Sequence, residues 1–320
     1  MRINGILILL FSFSLVGCFE KDEPIQPFPR GEVDDFSVQM GPKYSDQVFY
    51  SFAENTAIRS NKRTAWDISF SCEDNNNTIY LNSGNNMYAA LVEAKNLSDV
   101  ADTSGMSFSW DWANGRDDST ALNNWNIGDK VAVINLGYDL DNQHQGFIKA
   151  IFETNGDSLK IRYSYLGEAT EKTGVLVKDQ SVNRVYFSFV ENAVIDIEPP
   201  KELYDLVFRQ YIFYFVEEDL PYSVVGALYN PHSTRVLSVN DKEFGEITLK
   251  DTTNYEFAPN HDEVGYDWKD FNIDEGFYVV YPEMNWIIQT SSGFYYKFHF
   301  VDFYNDSGER GYPRVEFKLL

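Results

Sequence analysis

The sequence predicts an all-β protein of antiparallel sheets, with two related β units in one chain. Three observations carry this. Aromatic residues are abundant, at 25 Phe, 21 Tyr and 6 Trp, and aromatic and β-branched side chains favour pleated, half-buried surfaces. Beyond the first residues, apolar and polar positions alternate with the period of a strand, and no helical period is sustained. A pair of strand-like segments also recurs later in the chain with its spacing nearly kept.

Taken in order, the chain opens with Arg2 and an apolar run from Gly5 to Val16. That run is too short to span a bilayer and reads as the core of a signal peptide. It ends in Leu15-Val16-Gly17-Cys18, a lipobox pattern, which predicts that residues 1–17 are removed and that Cys18 becomes an acylated first residue. A buried methylene contributes about 0.8 kcal/mol, so one chain holds weakly and two or more hold firmly. Residues 18–45 are the tether. Phe19-Glu20-Lys21-Asp22-Glu23 resembles the export signal that sends Bacteroidetes lipoproteins to the outer face of the outer membrane. Pro24, Pro27 and Pro29 then stiffen an extended spacer.

Strands follow. In Ser158 to Tyr165, Leu159, Ile161, Tyr163 and Tyr165 share one face, with Lys160, Arg162 and Ser164 opposite. The run Gly146 to Glu153 joins it through Thr154-Asn155-Gly156-Asp157, a hairpin signal. Asp241 to Glu246 reads as a short helix capped by Asp241. Near the end, Phe294, Tyr296, Phe298 and Phe300 line one face of a strand, and a last strand runs from about Pro313 to Leu319.

The recurring pair is Val48-Phe49-Tyr50-Ser51-Phe52-Ala53-Glu54-Asn55 against Val185-Tyr186-Phe187-Ser188-Phe189-Val190-Glu191-Asn192. Downstream, Trp66-Asp67-Ile68-Ser69-Phe70 parallels Tyr204-Asp205-Leu206-Val207-Phe208. The aromatic, the aliphatic and the phenylalanine fall on one face, with Asp on the other. This predicts an N-terminal β unit over 46–182 and a C-terminal one over 183–320, divided after the polar stretch Lys178 to Ser181.

Composition excludes several classes. With 49 acidic against 26 basic residues and a net charge of −23, the chain does not suit nucleic acid or anionic lipid. With Cys18 acylated, Cys72 has no partner. A disulfide framework and a cysteine metal cluster are thereby excluded, and Cys72 reads as a small buried hydrophobe. No nucleophile elbow, H-E-x-x-H or phosphate-binding glycine loop occurs, and Asp139-Leu140-Asp141-Asn142 departs from a calcium loop at Gln143-His144. The expectation is a binding protein, not an enzyme.

The Trp66 to Phe70 strand, its echo at Tyr204 to Phe208, and the run Gly293-Phe294-Tyr295-Tyr296-Lys297-Phe298-His299-Phe300-Val301-Asp302-Phe303-Tyr304, followed by Gly308, Gly311 and Val315-Glu316-Phe317, resemble the HmuY-like lipoproteins of Bacteroidetes. The likeness is strongest over the last 140 residues or so, and Asn75 to Ser181 reads as an expansion. The resemblance implies an HmuY-like C-terminal half and haem as cofactor. It also implies cell-surface capture that feeds a TonB-dependent transporter in the outer membrane, with the iron held between two axial side chains.

Haem iron takes His, Met, Cys or Tyr, and the chain has four histidines. His144 lies in a polar loop, and His299 lies mid-strand opposite the phenylalanine row. His232, after the turn Asn230-Pro231, and His261, in Pro259-Asn260-His261-Asp262, are loop residues in the half that carries the resemblance. They are the candidate haem ligands, and a carboxylate such as Asp262 could orient an imidazole. Met87, Met106 and Met284 are alternative ligands. The competing reading is a glycan- or protein-binding module on the same fold, which exposed Trp110, Trp112 and Trp125 would favour.

Overall fold

In the computed structural model, residues 31–232 and 234–320 are described. The lipobox, Cys18 and the charged segment after it lie outside the described residues. Among those described, every regular element is a strand or a 3₁₀ turn, and no helix is long and apolar enough to cross a membrane.

Four antiparallel sheets hold most of the strands. The first runs β1 (Asp34–Ser37), β20 (Arg310–Leu319), β19 (Tyr295–Tyr304), β18 (Asn285–Gln289), β15 (Arg235–Ser238). The second runs β14 (Leu220–Tyr229), β13 (Leu206–Phe215), β2 (Asp46–Ser51), β3 (Thr56–Lys62). The third runs β12 (Ala193–Ile195), β11 (Arg184–Ser188), β4 (Ile68–Ser71), β5 (Ile79–Leu81). The fourth runs β10 (Lys172–Val177), β9 (Ser158–Tyr165), β8 (Phe147–Asn155), β7 (Lys130–Asn135), β6 (Tyr88–Glu93). A separate hairpin joins β16 (Lys269–Asn272) to β17 (Phe277–Val280).

The strand period of two stacks these sheets. On β2, Val48 and Tyr50 point into a core with Phe208 and, from the first sheet, Trp286, Phe298, Phe300 and Phe317. Phe49, between them, points the other way, onto Trp66, Tyr186, Ile197 and Tyr204. The far face of the third sheet buries Ile68, Phe70 and Phe187 against Ile134, Ile161 and Tyr163 of the fourth. The two middle sheets are thus covered on both faces, and their strands read as aromatic runs for that reason.

The recurring segments are crossed in space. β2, the first strand of copy one, pairs with β13, the second strand of copy two, and β11 pairs with β4 in the same way. The aspartates close the exchange. Phe189 N donates to Asp67 Oδ2 at 2.6 Å, and Phe52 N donates to Asp205 Oδ2 at 2.8 Å. Each copy also ends in a buried asparagine. Asn82 Nδ2 donates to the carbonyls of Arg63 and Trp66, and Asn230 Nδ2 donates to those of Lys201 and Tyr204. Asn55 and Asn192 both take positive φ, 45° and 50°, in the turns after the crossed strands. Strand pairing therefore runs across Val182.

Several local expectations need adjusting. The hairpin loop is Gly156-Asp157, because Asn155 still pairs with Ser158, and Gly156 takes the positive φ that the tight turn needs. The segment after Asp241 forms only a 3₁₀ turn, Phe244–Glu246, with Glu243 at its N-cap. Phe294 precedes β19 and is 54 % exposed, whereas Phe298 and Phe300 are buried. Cys72 is buried, with its sulfur accepting from Asp179 N.

Candidate functional site

A cleft of about 840 Å³ opens beside the ends of β11 and β5, with Glu73, Asp74, Asp117 and Asp118 on its rim. A narrower pouch of about 90 Å³ continues inward between the second and third sheets, lined by Phe49, Tyr186, Tyr204, Tyr211 and Tyr229. Tyr80, Gly115, Asn183, Arg184, Pro231 and His261 line both. His232 lines the outer cleft, so the two candidate histidines share one cavity.

The repeat positions His232. Asn230 Oδ1 accepts from His232 N at 2.9 Å, as Asn82 Oδ1 accepts from Gly84 N at 3.1 Å in the other copy. The same turn thus carries a glycine in one copy and an imidazole in the other. His232 Nε2 lies 2.6 Å from Glu202 Oε1. The carboxylate beside this ring is therefore Glu202.

His261 is held by its backbone. Its N–H donates to Asn114 O, and its carbonyl accepts from Tyr229 N, both at 3.1 Å. The ring lies edge-on to Tyr229, with centroids 5.3 Å apart. Gly115 covers the other side so closely that a Cβ there would meet His261 Nδ1 at 2.0 Å. Burial, reinforced by the nearby Arg184 charge, lowers the imidazole pKa to about 4. His261 is therefore neutral at physiological pH, the form in which imidazole binds a metal.

Arg184 starts β11 at the floor of the cleft. Its amide donates to Glu198 Oε2 at 3.0 Å, and its guanidinium stacks 3.5 Å from the Tyr80 ring centroid. The phenol of Tyr80 donates to Asp117 Oδ1. Glu198 is buried and also accepts from Asn183, Tyr186 and Tyr204. Desolvation nevertheless raises its carboxyl pKa. Arg209, on the pouch wall, donates to Asn82 Oδ1 at 3.2 Å and lies over Trp66.

The other candidates lie elsewhere. His144 is paired with Asn135 Nδ2. His299 is buried against Pro282 O and stacked on Phe244 with centroids 4.2 Å apart. Met87 is fully buried in the core between the third and fourth sheets, Met284 packs against the core of the first two, and Met106 packs against a small cluster outside the fourth. The three tryptophans do not form an exposed platform. Trp125 is buried, Trp110 packs on Tyr88, and Trp112 stacks on Tyr214 with planes 13° apart. Sequence reasoning missed Tyr80, Gly115 and Arg184. Gly115 sits in a polar loop of the expanded region, and the other two are strand residues that look like ordinary core or surface positions.

Solved structures to which the chain is similar include apo PinO from Porphyromonas gingivitis, at 7% identity and a TM-score of 0.36, with 91% of this chain and 98% of that one covered. They also include an apo HmuY analog (TFO) from Tannerella forsythia, at 10% identity and a TM-score of 0.27, with 91% and 98% covered. No curated protein matches the sequence. The family model described as HmuY protein matches residues 43–317, including the expansion at 75–181 as well as the C-terminal half, and the chain belongs to the HmuY family.

Proposed function

We propose that the protein captures haem in the cleft beside β11, with His232 and His261 as the axial ligands. The observation that carries this reading is that both histidines, 29 positions apart in the chain, line one cavity. The residues present fit the group. The cavity volume of about 840 Å³ lies in the range of small-molecule sites. The His261 ring is neutral, and Glu202 orients the His232 ring. These imidazoles would hold the group through its iron, which supplies the metal for them to ligate. Tyr80, Val182 and Pro231 offer apolar surface, and the acidic rim stays in solvent. Acylation at Cys18 would anchor the protein in the outer membrane, facing outward, and a TonB-dependent transporter would receive the haem.

Titration of the purified protein with hemin tests the reading. A saturable Soret band is expected, weakened by His232→Ala and by His261→Ala. No saturable change in absorption would overturn it. Release of the protein from intact cells by added protease tests its surface display.

A further inference from the structure

We infer that Arg184 is a carboxylate anchor, fixing the orientation of a ligand held in the cleft by pairing with an acidic group at its edge; this rests on the haem reading, where that group is a porphyrin propionate. Arg184 lines both the outer cleft and the inner pouch. It is placed by its neighbours: the backbone amide is fixed on Glu198, and the planar head lies on the Tyr80 face. Among the described residues, none of its guanidinium N–H groups donates a hydrogen bond to a protein acceptor.

The nearby carboxylates are already engaged. Asp117 accepts from Tyr80 and Asn76. Asp111 accepts from the amides of Leu81 and Ala121. Glu198 holds Asn183, Arg184 N, Tyr186 and Tyr204. Other buried or half-buried arginines nearby are committed in a way Arg184 is not: Arg63 donates to Gly84 O and Asn85 Oδ1, and Arg209 donates to Asn82 Oδ1 and Gln210 O. Arg184 is thus a pre-positioned fork of donors facing a cavity, the geometry that recognises a carboxylate with two parallel hydrogen bonds. In a chain of net charge −23 it marks a local place for an anion.

The test compares hemin with hemin dimethyl ester, whose carboxylates are blocked, on the wild-type protein, and adds Arg184→Gln and Arg184→Lys with hemin and with iron-free protoporphyrin IX. Expected is a loss of affinity on the order of ten-fold for the diester, and a similar loss for both porphyrins with Arg184→Gln. Arg184→Lys keeps the charge without the fork and should fall between. Equal affinity of the wild-type protein for hemin and its diester overturns the inference while leaving the haem reading standing, and does so whether or not the variants fold. Absence of any saturable hemin binding overturns both.

Discussion

At the scale of single residues, Asp67 and Asp205 are the clearest structural agents. Each is buried, accepts a backbone amide from the other copy of the repeat, and has its pKa raised by desolvation to about 6. Removing such an acceptor leaves a buried N–H unsatisfied and costs ~1–3 kcal/mol. Asp67→Ala and Asp205→Ala should each lose about that much in urea unfolding, whereas the Asn variants, which keep an acceptor, should recover most of it. A loss in only one of the two would contradict their equivalence. His261 titrates in the opposite sense. Its folded pKa is about 4 against 6.5 for the free side chain, so the unfolded chain takes the proton first. Its contribution to stability is intact above about 6.5 and is lost as the pH falls toward 4. An NMR titration should place the His261 midpoint near 4, and the stability difference between wild type and His261→Gln should move in favour of the variant over that window. A midpoint near 6.5 would mean that the ring is not buried as described. The histidine pair was legible in the sequence because a turn signal precedes one and both sit among loop-forming residues. Arg184 was not, since nothing in a strand beginning with arginine tells whether its head meets an acceptor or a cavity.

At the scale of elements, the loop from Asp111 to Ser119 decides the shape of the site. It lays Gly115 on His261 with φ at +78° and ties its own backbone to the histidine through Asn114 O. Gly115→Ala adds a methyl where the ring already sits, in a backbone conformation that L residues avoid. The substitution should cost more than ~1 kcal/mol, perturb the His261 resonances and weaken hemin binding. An unchanged His261 signal would show that the loop does not bear on the ring. The β8–β9 hairpin could be read in advance because alternation specifies which face is buried, and with it the register. The Asp111–Ser119 loop could not, because its conformation is set by contacts with residues far along the chain, His261 among them.

At the scale of the whole molecule, likeness between two segments announced two copies but not their partners. Similar strands have similar surfaces, and β2 fits β13 for the same reasons that β11 fits β4, so sequence alone does not say whether the copies pair within themselves or with each other. The crossed answer makes a cut at Val182 a test. Fragments 43–182 and 183–320 each lose the partners of their middle-sheet strands, and each should show poor amide dispersion alone, with native-like spectra returning only on mixing. Native spectra from either fragment alone would refute this. The same crossing imposes an order in time. β2 finds β13 only after more than 150 further residues have been made, and β1 finds its partners at 314–317 of β20 only after more than 270. Contacts so remote in sequence close slowly, and meanwhile the aromatic strands of β2 and β4 stand with open edges that invite wrong pairing. During synthesis the nascent chain would therefore depend on being kept extended until β20 arrives.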